Sequence, residues 1–180
     1  DEGKNTGGMG SYAPAPVVNK NILNVVEEKI IRPTIAGMKK EGKPFTGCLY
    51  CGIIITNEGP KVIEYNCRFG DPETQVVLPL IESDFLEMLY WASTNGLHNY
   101  KLVLSEKTAV CIVLASKGYP DKYESGKVIT GFEKVDKDTI VYHAGTKSDG
   151  QAILTSGGRV LGVTALGDTL LSAIEKAYIE

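Results

Sequence analysis

Residues Val62–Glu73 read VIEYNCRFGDPE, a segment that begins as a strand and ends as a loop. Val62, Glu64 and Asn66 lie at every second position, so a strand that continues to Asn66 places the three side chains on one face of a sheet. A carboxylate and an amide oxygen about 7 Å apart along a strand are hard ligands of the kind that Mg²⁺ prefers. The segment therefore predicts a metal site at the end of a strand.

An arginine and a turn follow this strand directly. Arg68 lies two residues beyond Asn66, where a guanidinium can hold a phosphoryl group during transfer. The turn at Gly70, Asp71 and Pro72 directs Glu73 back toward the same pocket. On spacing alone, an exposed strand edge with ordinary surface charges fits these residues equally well.

The composition is that of an ordinary globular protein. A chain of 180 residues can bury roughly 70% of its unfolded surface, enough for one large domain or two small ones. Apolar residues make up 43% and charged residues 23%, with a formal charge of −3, which favours neither disorder nor nucleic-acid binding. No apolar run approaches membrane-spanning length. The start DEGKNTGG lacks the features of a signal peptide, so we expect a cytoplasmic location without membrane or nucleic-acid partners.

The cysteine pattern includes one CxxC, formed by Cys48 and Cys51, besides Cys67 and Cys111. A second CxxC or a histidine pair is absent from the sequence, and a spacing of three sends two side chains to opposite faces of a strand. We therefore expect buried, reduced thiols rather than a zinc or redox site.

Residues 1–18 contain the glycine-rich string NTGGMGSYAPAP and are predicted to form a loop. Glycines let consecutive backbone N–H groups turn toward one anion, so phosphate binding is one hypothesis. A flexible turn is the other, because the string matches neither of the common phosphate-loop spacings.

Periodic apolar residues predict a helix from Asn19 to Glu41, with Asn19 as N-cap, Gly42 as terminator and a kink or break at Pro33. Residues 45–56 and 61–66 then predict an antiparallel hairpin. Its first strand is apolar on both faces, which predicts a central strand paired with the metal-ligand strand.

The second half of the chain shows a different pattern. A D-x-x-E capping box at Asp84 and Glu87 predicts a helix through Thr94. After a linker, short β-rich runs predict a second unit with strands and a last helix capped by Asp168. The strand candidates are residues 109–115, 127–130, 139–143, 152–155 and 159–165.

Several strings taken together resemble one family in order along the whole chain. They are NTGGMGSYAPAP, VIEYNCRFGDPE, ASKGYP at 115–120, HAGT at 143–146 and GGRVLGVTALG at 157–167. The chain closely resembles the glycinamide ribonucleotide synthetases, also called phosphoribosylamine–glycine ligases. The resemblance implies an α+β fold. Residues 1–104 would be the large lobe of an ATP-grasp fold, with antiparallel sheet and flanking helices, and residues 105–180 a small mixed α/β C-terminal domain.

The same resemblance implies ligation of glycine to 5-phosphoribosylamine with ATP, giving glycinamide ribonucleotide, ADP and phosphate in purine biosynthesis. Glu64 and Asn66 match Mg²⁺ or Mn²⁺ ligands, and Arg68 matches the residue that stabilises the transferring phosphoryl group. The segments expected near the other substrates match two loops. These are Asn5, Thr6, Gly7, Gly8, Met9 and Gly10 in one loop, and Asp71, Pro72 and Glu73 in the other.

Two departures from the family pattern stand out. Lys4 replaces the proline that usually precedes the asparagine of the glycine-rich loop. The family also carries an N-terminal domain and a small ATP-binding lobe that this sequence does not contain, so we expect a fragment that is inactive alone. Two alternatives remain open: another ATP-grasp carboxylate–amine ligase, or a non-catalytic ligand-binding or structural fragment that associates with a separate N-terminal chain.

Overall fold

The computed structural model describes residues 3–180. The helices and strands, in chain order, are β1 (Gly10–Ala13), α1 (Lys20–Val26), α2 (Arg32–Lys40), β2 (Tyr50–Thr56), β3 (Gly59–Asn66), α3 (Thr74–Val77), α4 (Phe85–Ser93), β4 (Thr108–Ala115), β5 (Val128–Ile129), β6 (Thr139–His143), β7 (Thr146–Ser148), β8 (Ile153–Thr155), β9 (Arg159–Gly167) and α5 (Leu170–Ile179). A π-helical turn, Glu27–Ile31, joins α1 to α2.

The chain forms two compact units, each assembled from separate segments. The first unit combines residues up to Ala13 with 71–81 and 104–180, and the second combines 14–70 with 82–103. The chain passes from the second unit to the first between Gly70 and Asp71. The division into domains at residue 104 stays a prediction.

The first unit is built on a four-stranded antiparallel sheet in the order β1-β4-β9-β6. Small and β-branched residues alternate from Thr108 to Ile112 in β4, so each face of the sheet buries its own apolar cluster. One cluster joins β4 to α3 and the turn after it, and contains Val76, Leu80, Ala109 and Cys111. The other joins β4 and β9 to α5, and contains Val110, Ala165, Ala173 and Ala177. A separate three-stranded sheet has the order β5-β8-β7.

Strand β1 was not predicted, because residues 1–18 were expected to be loop throughout. Gly10–Ala13 pairs antiparallel with β4, in a register that sets Gly10 opposite Ile112. Only glycine fits this approach comfortably, since a Cβ at Gly10 would lie 3.0 Å from the carbonyl oxygen of Cys111. The partner strand is distant in the chain, so no local pattern in residues 1–18 indicates the pairing.

The first helix of the second unit agrees with its prediction. Asn19 Oδ1 accepts a hydrogen bond from the amide of Ile22 at 3.0 Å, as an N-cap does. The π-helical turn ends at Ile31, two residues before Pro33, whose missing N–H removes one bond of the helical ladder. Gly42 follows the last turn with a φ of +74°, which favours glycine.

The predicted hairpin is also confirmed, with β2 and β3 pairing from Tyr50 opposite Asn66 to Thr56 opposite Gly59. The expectation that β2 is a central strand is wrong. Within residues 3–180, β2 pairs with β3 alone, and Ile54 is 50% exposed. Apolar side chains on both faces indicate that a strand can be covered, but they do not specify which element covers it.

The four cysteines are free, as predicted, but their burial differs from the prediction. Cys111 is buried, Cys48 and Cys51 are half-buried, and Cys67 is exposed. Cys48 precedes β2, whereas Cys51 lies inside it, so the two do not alternate across one strand. Burial raises the pKa of the Cys111 thiol, which keeps it protonated and unreactive.

The predicted strands of the second half are confirmed within a few residues, and β7 is an addition to them. The cap of α5 is Thr169 and not Asp168: Thr169 Oγ1 accepts from the amide of Ser172 at 3.1 Å, and the Ser172 hydroxyl closes the capping box. At the start of α4, Asp84 Oδ1 accepts from the amide of Glu87 as predicted. No helix within residues 3–180 is both long and apolar enough to cross a membrane.

Candidate functional site

The end of β3 brings Glu64 and Asn66 together on one face of the hairpin. Asn66 Nδ2 donates a hydrogen bond to Glu64 Oε1 at 3.0 Å. Glu64 is exposed and Asn66 is half-buried. The pairing of a carboxylate with a side-chain amide on one face is therefore as the alternation of the strand predicts.

Val62 does not share this face, contrary to the prediction. Glu64 lies opposite Gly52, whereas Val62 lies opposite Ile53, so the register shifts by one residue between them. Consecutive residues of β2 point to opposite faces, and their partners do the same. The extra residue, Ile63, is a β-bulge, which re-aims the side chains beyond it.

Gly52 is a contributor to this site that the sequence did not reveal. A Cβ built on Gly52 would lie 3.0 Å from Cγ of Glu64 and 3.5 Å from the Glu64 carbonyl oxygen. Glycine at this position leaves room for the Glu64 side chain against the neighbouring strand. The signal in the sequence is a single glycine inside a β-rich run, directly before three isoleucines, which is typical of a bulge or a close approach.

The donors at the end of β3 fit a hard divalent cation that keeps water or phosphate oxygens as further ligands. A carboxylate and an amide carbonyl are oxygen ligands, which suit Mg²⁺ better than a soft metal. Within residues 3–180, no group of three or more His, Cys, Asp or Glu side chains is placed to hold a metal ion. Two such donors would fill only part of a cation's coordination sphere and would leave the rest to water or phosphate oxygens.

Arg68 follows this strand with an exposed side chain. Its Nη1 donates to the carbonyl oxygen of Phe69 at 2.8 Å, a contact that uses one of the five guanidinium N–H groups. The other N–H groups leave the side chain with donors for an anionic group.

In the first unit, Asp71 is the centre of a polar cluster. Its Oδ2 lies 2.8 Å from Nη2 of Arg159, and its Oδ1 accepts a hydrogen bond from Nε2 of Gln75 at 2.9 Å. Both carboxylate oxygens therefore have donors, one of them charged. The buried Oε1 of Gln75 has no partner among the described residues.

The glycine-rich loop packs directly on Pro72. Pro72 is among the most deeply buried side chains, and Ser11 Oγ donates to its carbonyl oxygen at 2.7 Å. A Cβ on Gly8 would collide with Cδ of Pro72. The structure thus brings the two predicted substrate segments, residues 5–10 and 71–73, into contact at Gly8 and Pro72.

Arg159 is the residue of this cluster that the sequence reasoning missed. Besides its ion pair with Asp71, Nη1 donates to the carbonyl oxygens of Gly8 at 3.0 Å and of Asp71 at 3.2 Å. A Cβ on Gly7 would lie 2.8 Å from the Arg159 Cζ. The string GGRVLGVTALG contains this arginine, but no local pattern in it indicates which residues the guanidinium contacts.

The remaining predicted residues are described by their exposure and by their main-chain hydrogen bonds. Asn5, Thr6 and Met9 are exposed, and the carbonyl oxygen of Met9 accepts from the amide of Val113 at 3.1 Å. Glu73 is half-buried at the start of α3, where its carbonyl oxygen accepts from the amide of Val77 at 3.0 Å.

Two family models match this chain in succession. The model described as phosphoribosylglycinamide synthetase, ATP-grasp (A) domain, matches residues 1–74. The model described as phosphoribosylglycinamide synthetase, C domain, matches residues 109–180. Both halves of the chain therefore point to the same group of proteins.

Similar proteins carry matching names. The phosphoribosylamine–glycine ligase of Caldanaerobacter subterraneus subsp. tengcongensis is 53% identical over 180 residues, which cover 100% of this chain and 43% of that protein. The human trifunctional purine biosynthetic protein adenosine-3 is 47% identical, over 98% of this chain and 18% of that protein. The chain thus spans less than half the length of these curated relatives.

Solved structures confirm the predicted α+β fold with antiparallel sheets and flanking helices. The crystal structure of phosphoribosylamine–glycine ligase from Thermotoga maritima has a TM-score of 0.80 and 35% identity, covering 99% of this chain and 44% of that one. The N5-carboxyaminoimidazole ribonucleotide synthetase of the same organism has a TM-score of 0.57 at 18% identity, over 93% and 43% of the two chains, a likeness of fold alone.

Proposed function

This chain belongs to the phosphoribosylglycinamide synthetase family, and we propose that it carries the metal-binding strand and two substrate loops of an ATP-dependent ligase. The reaction joins glycine to 5-phosphoribosylamine and produces glycinamide ribonucleotide, ADP and phosphate. Because the relatives are more than twice as long, the proposal includes an N-terminal domain and a small ATP-binding lobe, supplied in the same protein or by a partner. These 180 residues alone are then inactive.

The observation that carries the proposal is the contact between Glu64 and Asn66 at the end of β3, two residues before Arg68. Their oxygens would hold Mg²⁺ or Mn²⁺ and Arg68 would face the phosphate groups of ATP. When bound, the cation neutralises phosphate charge during transfer. Donors prearranged around a phosphoryl group supply most of the catalysis in this class of reaction, because the protein contributes little covalent chemistry.

The reaction proceeds in two transfers. The carboxylate of glycine attacks the γ-phosphorus of ATP, so that a glycyl phosphate forms and ADP leaves. The amine of phosphoribosylamine then attacks the glycyl carbonyl carbon, forming the amide bond and releasing phosphate with loss of the amine proton. Arg68 holds the phosphoryl oxygens in the first transfer.

The substrate loops have a different task. Residues 5–10 would present backbone N–H groups to the phosphate of phosphoribosylamine and to the acyl phosphate. Asp71, Pro72 and Glu73 would close the substrate side. The packing of Gly8 on Pro72 supports this proposal, because it brings the two loops into one local site in the first unit. A cytoplasmic location, with neither nucleic acid nor membrane as partner, completes the proposal.

The test is the change Glu64→Ala in the intact ligase that carries this chain, assayed by phosphate release that depends on ATP, glycine and phosphoribosylamine. Removing one such charge contact costs on the order of 10²-fold or more in rate, about 3 kcal/mol. Glu58→Ala is the matched control, since Glu58 lies in the turn of the same hairpin and its exposed side chain pairs with Lys61. Near-normal turnover by Glu64→Ala would rule out the metal role.

A second experiment tests the need for further domains. This chain is mixed with a separately produced N-terminal half of a relative, and phosphate release is measured. Restored activity supports a divided ligase. Turnover by the chain alone would contradict the proposal that its residues are insufficient.

A further inference from the structure

We propose that Arg159 is a positioning residue that holds the glycine-rich loop and the Asp71–Glu73 loop in one arrangement for the substrates. The inference rests on the proposed function insofar as these two loops bind substrate. Arg159 would act through the loops and would not itself need to touch the reacting atoms.

The first support is the distribution of its contacts over two segments. The Nη2 atom of the guanidinium pairs with the carboxylate of Asp71. The Nη1 atom donates to the main-chain oxygens of both Gly8 and Asp71. The Arg159 side chain is 25% exposed. A planar fork with five donors can make such contacts together, whereas the ammonium group of lysine cannot reproduce their geometry.

The second support is the close packing of the glycine-rich loop against Arg159 and against Pro72. The guanidinium lies so close to Gly7 that a Cβ there would be 2.8 Å from Cζ, and Pro72 lies just as tightly against Gly8. A Cβ at residue 8 would collide with the Pro72 ring of the other loop, whereas a Cβ at residue 7 would meet the guanidinium end of Arg159. The guanidinium therefore contacts main-chain oxygens of both loops as well as the Asp71 carboxylate.

The third support is that Arg159 projects from a hydrogen-bonded strand. Arg159 is the first residue of β9, where it lies opposite Ala115 of β4, and its carbonyl oxygen accepts from the amide of Gly145 at 2.9 Å. The preceding Gly158 and Gly157 accept hydrogen bonds from the amide and hydroxyl of Ser116, each at 2.8 Å. A side chain that starts from a sheet holds its tip more precisely than one on a loop.

The experiment compares Arg159→Met and Arg159→Lys with Arg32→Met in the intact ligase. Arg32 is a matched control, because it is an exposed arginine that pairs with Glu27 and Glu28 on the surface of a helix. Two readouts are taken: amide hydrogen exchange peptide by peptide, and kcat and KM for each substrate. The exchange readout requires no turnover.

In Arg159→Met we expect amides of residues 7–10 and 73–76 to exchange at least about tenfold faster, with β4 and β9 unchanged. A misplacement of about 1 Å costs about 10²-fold in kcat/KM. We therefore expect the kcat/KM of Arg159→Met for phosphoribosylamine to fall by a factor of that order. Arg159→Lys restores the charge but only part of the geometry, so it should fall between wild type and Arg159→Met. Arg32→Met should match wild type in both readouts.

Unchanged exchange in both loops, or an increase spread evenly over the first unit, would overturn the inference and leave Arg159 with a general structural role. Full recovery by lysine would overturn it as well, because charge alone would then suffice. If the wild-type protein shows no ligation, the proposed function fails while the exchange comparison still decides on positioning. If Arg159→Met does not fold, the comparison of loop exchange between wild type and Arg159→Lys tests the inference instead.

Discussion

Gly52 and Glu64 lie opposite each other across the hairpin, and a Cβ on Gly52 would come within 3.0 Å of the Cγ of Glu64. This relationship links a residue with no functional group to the proposed metal ligand. It makes the position of the carboxylate depend on the absence of a side chain on the neighbouring strand.

Gly52→Ala should therefore displace the Glu64 side chain and weaken divalent-cation binding. Changing a residue that orients a metal ligand typically costs 10- to 100-fold in affinity, and we expect the low end of about 10-fold. Titration of the intact ligase with Mn²⁺, followed by electron paramagnetic resonance, measures the change. Gly37→Ala is the matched control, since nothing lies within 4 Å of a Cβ there and alanine in a helix is favoured by about 0.5 to 1 kcal/mol. Unaltered Mn²⁺ affinity in Gly52→Ala would exclude a supporting role for Gly52.

Gly8→Ala should destabilise the first unit, because its Cβ would collide with the ring of the buried Pro72. Overpacking of this kind costs about 1 to 3 kcal/mol. Urea unfolding of the intact ligase measures the loss, and Gly3→Ala should be neutral since the space around Gly3 is open. Equal stability of the two variants would show that the loop moves away from Pro72 without cost.

The cysteines should react with an alkylating reagent in the order of their exposure. Cys67 should be modified first, Cys48 and Cys51 more slowly, and Cys111 only after unfolding. Peptide mass spectrometry after timed treatment at pH 7 gives the order. Modification of Cys111 at the rate of Cys67 would contradict its place in the core.

Burial raises the pKa of the Cys111 thiol in the folded state, so this group stabilises the protein below the unfolded thiol pKa of about 8.5. That contribution is lost as the pH rises through the folded pKa, because the unfolded chain then releases the proton more readily. We expect the free energy of unfolding to fall between pH 8 and pH 10, and to fall less steeply in Cys111→Ala. An equally steep fall in Cys111→Ala would contradict this assignment.

Thr169→Ala should lower stability by about 1 kcal/mol through loss of the cap of α5. The capping box joins Thr169 to Ser172, and the next residue, Ala173, belongs to the apolar core. Thermal unfolding compares this variant with Thr130→Ala, which changes an exposed threonine outside any helix. Equal midpoints would mean that the box does not support α5.

Local features of this protein were predictable because their physics is local. The N-cap of Asn19, the terminating Gly42 and the π-helical interruption of the α-helix before Pro33 depend on groups within one helical turn. The hairpin follows from two β-rich runs close together in the chain, and the pairing of Glu64 with Asn66 follows from strand alternation. The resemblance of the ordered strings indicated the family, which the comparisons confirm.

Sequence alone thus determined most of the helices and strands and indicated the family, and it predicted the segments that we propose carry the chemistry. Tertiary structure alone decided that Val62 leaves the face of Glu64, because a one-residue bulge reverses the side-chain alternation of a strand. It also decided that Arg159 reaches Asp71, 88 residues away in the chain, and that Gly10–Ala13 becomes a strand. These contacts join residues far apart in the chain, and no local propensity encodes the partner that folding brings to them.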